Sequence, residues 1–315
     1  MNKYLLDLIN RMLERSDCEM KPGFDSSLTI SWKAMRESEK IENQDYVNQL
    51  IDFIIQEKNK SKRDKAYFIL GHLSKNIGDT KSTEFLINQI EKETDKDIIS
   101  SLLNRIRELN KAKGVDIRPI INASKSDKWQ IRHSAIQALK NSSDKTAEER
   151  LIEILKSPIN HFDLIYANAT LCNIGSMKCI PFLMYHLDHK KIDVAQSALN
   201  AITQIAKEKE INTYRARLIE GKIKSYAIIG VVKYGNHEDY SIVENRLREL
   251  VSKKRKVKHY AEGMKTELII GLEFLRQSLK YESIIEWLLT KKATMLWDFE
   301  LEWINNNKAR ITNIA

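Results

Sequence analysis

The sequence predicts an all-α fold, an α-solenoid in which helical hairpins stack lengthwise. Three observations predict it. From Ala66 to Glu208 the chain repeats itself every roughly 31 to 36 residues, the size of one helical hairpin with its turns. The central copy, Ser126-Asp127-Lys128-Trp129-Gln130-Ile131-Arg132-His133-Ser134-Ala135-Ile136-Gln137-Ala138-Leu139, reads as a turn and an amphipathic helix. Its apolar residues Ile131, Ala135, Ala138 and Leu139 fall at i, i+4, i+7 and i+8. Only 10 Gly and 4 Pro occur in 315 residues, too few for the many tight turns of a β-rich chain.

Residues 1–44 are read as an N-terminal helical cap, since terminal units of a stack must turn one face to water. A helix over Tyr4 to Glu14 is followed by a break, Ser16 to Gly23, and a second helix over Leu28 to Ile41 with Trp32 and Met35 on its apolar side. Residues 45–210 hold the regular hairpins. The first pairs Tyr46–Gln56 with Lys62–Asn76 and ends at Gly78, a residue suited to the left-handed helix stop. Thr80–Lys92 then pairs with Lys96–Asn110, Ile117–Ser124 with Lys128–Lys140, and Ala147–Lys156 with Phe162–Ile174. Met177–Leu187 pairs with Ile192–Lys207. Asp95, Asp127, Pro158 and Asp188 recur about 30 residues apart, at hairpin tips where an Asp is suited to cap the second helix. Residues 211–315 are divergent repeats and a cap: Tyr214–Gly235, Tyr240–Val251, Thr266–Leu279, and a closing aromatic, acidic stretch from Ile284 to Trp303.

Small residues recur on the second helices at Ala66, Ser101, Ala135, Ala167 and Ala198, letting neighbouring helices approach closely. Here the chain resembles the HEAT-repeat proteins. Asn173-Ile174-Gly175-Ser176-Met177-Lys178-Cys179-Ile180-Pro181-Phe182-Leu183 is similar to that family's junction between repeats, and Ile131-Arg132-His133-Ser134-Ala135 to its second-helix pattern. The hairpins around Ala66 and Ala198, and Asp97-Ile98-Ile99, are read as lacking the matching Arg. The resemblance covers about 45 to 210 and implies a right-handed α-solenoid of HEAT-like hairpins; it carries almost nothing about activity.

Chemistry is sparse. No GxGxxG, phosphate-binding Gly-rich loop, GxSxG or HExxH is present. His186 and His189 share a spacing suited to two metal ligands but have no completing partner, so no metal site, cofactor or catalytic residue is nominated. Cys18, Cys172 and Cys179 form no CxxC pair, and an odd count leaves one over. Reduced thiols and a cytoplasmic location are therefore expected. No apolar run approaches the roughly 20 residues of a membrane span.

The formal charge of +9 favours anionic partners without choosing among them. Lys62 and Arg63, Lys128 and Arg132, and Lys190 and Lys191 stand at second-helix starts, and Lys253, Lys254, Arg255 and Lys256 open a basic run that extends to Lys258. These are the candidate nucleic-acid contacts, as point charges on phosphates. The resemblance places second helices on the concave face, so Trp129, Arg132, His133, Phe162 and Lys191 are the candidate contacts for a protein partner. The expectation is a non-enzymatic scaffold. The rival is a nucleic-acid-binding solenoid similar to the HEAT-like alkylpurine DNA glycosylases, in which aromatic residues and a carboxylate share a basic cleft. Asp127 beside Trp129 and Trp297-Asp298 are the nearest matches, and neither reproduces that family's Trp-Trp-Asp run.

Overall fold

The computed structural model describes residues 1–17, 25–256, 265–309 and 311. Cys18, Pro22-Gly23 and the Lys258 end of the basic run lie outside the described residues. The fold is all-α: among the described residues there is no strand, only an isolated bridge between Lys111 and Ser142. Two compact units, Met1–Phe182 and Leu183–Ala315, make up the chain.

The first unit holds α1 (Lys3–Leu13), α2 (Ile30–Ser38), α3 (Tyr46–Gln56), α4 (Lys60–Ile77), α5 (Thr80–Gln89), α6 (Lys96–Arg107), α7 (Arg118–Ala123), α8 (Trp129–Ala138), α9 (Lys145–Lys156) and α10 (His161–Ile174). The unit boundary falls within α11 (Ile180–Tyr185). Helices α4, α6, α8 and α10 pack each against the next, and α3, α5, α7 and α9 each lie on the helix that follows. Ala66, Ala135 and Ala167 are fully buried, so contacts between successive long helices are made where a small side chain permits them. The N-terminal segment is not separate, because α1 packs on both α2 and α4.

Loops between hairpins are tied to their neighbours. Asn76 donates its amide to the Glu39 and Ile41 carbonyls at 2.9 and 3.0 Å. The Asn141 N–H donates to Asn173 Oδ1 at 2.8 Å. Lys111 donates its backbone N–H to the Asn141 carbonyl and accepts from Ser143, both at 2.9 Å. Its side chain is fully buried, and Nζ donates to the Ile106 and Leu109 carbonyls at 2.8 Å, at the C-terminal end of α6 and just beyond it. Burial pushes that ammonium down to about 7.

The second unit contains α12 (Ile192–Ile205), α13 (Ile211–Ile219), α14 (Lys224–Tyr234), α15 (Tyr240–Leu250), α16 (Glu267–Leu275), α17 (Tyr281–Lys291) and α18 (Asp298–Asn306). Helix α14 packs against α12, α13 and α16, and α16 against α15 and α18. Gly230 makes the α13–α14 contact: a Cβ there would stand 2.5 Å from the buried Tyr214 ring. The patterned stretch Tyr214–Gly235 is therefore two helices, parted at Gly221 with φ +125°, a conformation that favours glycine.

Two further expectations are corrected. Trp32 is exposed, with the Arg36 guanidinium 4.6 Å over its ring, while Ser31, Ala34 and Ser38 form the buried face of a shorter α2. Of the three recurring Asp residues only Asp95 caps its helix, accepting from the N–H groups of Asp97 and Ile98. Lys128 and Lys191 stand at the N-cap of α8 and α12, and neither side chain makes a capping bond.

Candidate functional site

Four of the five proposed partner contacts meet at the starts of α8 and α10. Asn160 caps α10 and accepts from the N–H groups of Phe162 and Asp163, and the Asp163 side chain returns the bond to the Asn160 N–H, closing a capping box. This fixes Asp163 with 1 % of its surface exposed. Its Oδ2 accepts from the backbone of Ile159 and Asn160 at 3.0 and 3.1 Å. Its Oδ1 accepts from Arg132 Nε at 3.0 Å and lies 2.9 Å from His133 Nε2. Arg132 also donates from Nη1 to the Ser126 and Asp127 carbonyls, so one guanidinium ties the α8 entry to the α10 entry.

Arg132 and His133 are thus buried, and the expectation that they touch a partner or phosphate is corrected: they act from beneath the surface. Burial holds the His133 imidazolium below its ordinary value even though Asp163 pulls the other way. What stands above them is aromatic. Trp129 is 59 % exposed and Phe162 48 %, with Ile159 beside Asn160 at 63 %. The His133 ring lies 5.7 Å from Trp129, 6.2 Å from Phe162 and 4.9 Å from Tyr166, and His161 is 4.1 Å from Phe162. An aromatic patch held on a buried, hydrogen-bonded support loses little freedom when it binds.

The basic residues divide sharply. Arg63 repeats the Arg132 arrangement one hairpin pair away: Nη1 donates to the Glu57 and Lys58 carbonyls, while Nε and Nη2 clasp Glu93 at 2.8 and 2.9 Å. Tyr67 also donates to Glu93, whose carboxyl is held below the usual range chiefly by Arg63. Arg63 stands three residues before Ala66, as Arg132 does before Ala135, so the Arg read as missing from that hairpin is present. Arg255 is clasped by the buried Glu300, which also accepts from Thr266, and stacks 4.4 Å from the Trp297 ring. Arg255 therefore anchors its loop and is not free for phosphate. Lys62, Lys128, Lys190, Lys191, Lys253, Lys254 and Lys256 make no ion pair among the described residues, and all but the part-exposed Lys62 are exposed. Lys191 and Lys190 belong to the second unit.

Sequence reasoning missed the acids that hold these arginines, Glu93, Asp163 and Glu300, and also Asp239, which holds Arg215, and Glu267, which holds Arg246. One signal was available, Asn160-His161-Phe162-Asp163 and Asn236-His237-Glu238-Asp239, the same capping pattern twice. No protein-family model matches the chain, and no curated protein matches its sequence.

Proposed function

We propose that the chain is a HEAT-like, right-handed α-solenoid scaffold that binds a protein partner, without catalysis, through the aromatic patch of Trp129 and Phe162. One observation carries the reading: two large aromatic side chains, each about half exposed, stand over a buried Arg132–Asp163–His133 network in which both Asp163 oxygens are bonded. Exposed aromatics on a rigid base are the usual energetic anchors of protein interfaces. The successive packing of α4, α6, α8 and α10 supports the stacked architecture. To test it, the immobilised full chain and its Trp129→Ala/Phe162→Ala form are exposed to extract of the native cells. A protein retained by the first and reduced at least about tenfold on the second is expected. Equal retention by both, with unchanged unfolding midpoints, overturns the reading.

A second reading keeps one observation. Lys128, Lys190, Lys253, Lys254 and Lys256 remain exposed and unpaired on a chain of charge +9, which fits a nucleic-acid-binding solenoid related to the alkylpurine glycosylases. Random-sequence DNA bound at low salt and released steeply as salt rises would favour it.

A further inference from the structure

Between α4 and α6 of the first unit lies a notch lined by Gly71, His72, Lys75, Arg105 and Glu108. Arg105 differs from the other half-buried arginines. Arg63, Arg215 and Arg246 each turn the edge formed by Nε and Nη2 toward a carboxylate, Glu93, Asp239 and Glu267 respectively. The Arg105 guanidinium lies 4.4 Å over the Phe68 ring, its Nε is buried without a partner, and it makes no hydrogen bond or ion pair among the described residues. His72 Nε2 in the same notch is also buried and unpartnered, its nearest carboxylate, Glu39, being 4.0 Å away.

The charges around the notch do not cancel. Glu39 is held by Arg36 at 2.5 Å, Glu108 by Arg107 at 2.8 Å, and Asp64, the acid that acts most on Arg105, by Lys65 at 2.9 Å, which leaves Arg105 and the exposed Lys75 without an acid of their own. Gly71 sets the depth, since a Cβ there would already stand 3.1 Å from Arg105 Cβ. The cavity is small, about 30 Å³, so only the head of an anionic group enters it, and a side-chain carboxylate is the smallest such group a protein supplies.

We propose that this notch receives a carboxylate side chain from an acidic segment of a partner protein, held by the Arg105 guanidinium with His72 and Lys75 at its sides. The proposal goes beyond the aromatic patch, and either can fail alone.

The probe is an N-acetylated hexaglutamate peptide added to the full chain, followed by the NMR signals of the Arg105 Nε–H and the His72 ring. Saturable shifts of both are expected, with the His72 titration moving to higher pH because a bound anion favours the imidazolium. Arg105→Gln weakens binding by about tenfold or more, the loss of a charge-assisted hydrogen bond. Lys75→Gln, at an exposed position where folding is not at stake, weakens it a few-fold. An unmoved Arg105 Nε–H with peptide in excess, or equal binding by the Arg105→Gln form, overturns the site. Acetate binding as tightly as the peptide overturns the acidic segment as its source.

Discussion

The same four-residue pattern, Asn-His-x-Asp, closes a capping box at 160–163 in one unit and at 236–239 in the other, with different surroundings. Asp163 and Asp239 are both almost completely buried, and each accepts from the N–H of its own Asn. Asp239 serves one cation, Arg215, at 2.6 and 2.9 Å, and that arginine is part-exposed. Asp163 serves that role for Arg132 and also bonds the His133 imidazole, both buried, beneath Trp129 and Phe162. The motif is thus a structural joint in both places. What distinguishes the first copy is the added imidazole and the aromatic surface it supports.

Removing the acids should separate the two copies most. Asp163→Ala strands a buried guanidinium and a buried imidazole, and a loss of about 3–5 kcal/mol of stability is expected in urea unfolding. Asp239→Ala leaves a guanidinium that water already reaches, and about 1–3 kcal/mol is expected. Equal losses would show that the His133 bond contributes nothing. Arg132→Lys replaces a fork by a point charge and cannot span both Asp163 and the two loop carbonyls. A cost of about 1–2 kcal/mol is expected, detectable as a lowered unfolding midpoint. Trp129→Ala/Phe162→Ala, by contrast, should change stability by less than about 1 kcal/mol while abolishing the proposed capture, since both side chains are largely in water.

The smallest effect concerns pH. His133 has its folded value held below the ordinary 6.5, so the unfolded chain takes up the proton first as pH falls. Stability from a neutral His133 is complete above that value and declines as pH drops through and below it. His133→Gln should flatten that decline between pH 6.5 and 5 in urea titrations. An unchanged slope would place the sensitivity elsewhere, His72 being the other imidazole that burial shifts the same way.

Much of this was legible before any coordinates. Helix α3 occupies the predicted Tyr46–Gln56, and Gly78 stops α4 at φ +68° as expected, because apolar period and a left-handed stop are local signals. Two helices hid inside Tyr214–Gly235, because their break rests on one glycine and a Tyr–Gly contact that spacing does not report. Arg63, a candidate phosphate contact by its charge, is hard to match to Arg132 in sequence because Lys62 precedes it where Ile131 precedes Arg132. The site was half legible. Its aromatic members could be nominated from position, but the burial of Arg132 and His133 depends on an acid some thirty residues away, which sequence spacing alone does not pair with them.

Lys111 carries one more consequence. Burial holds its ammonium down to about 7, and the folded chain seals it completely. An acylating reagent can therefore mark it only when the end of α6 parts from the loop at Asn141–Ser143, so its rate of labelling would time the opening of that joint while the rest of the molecule stays closed.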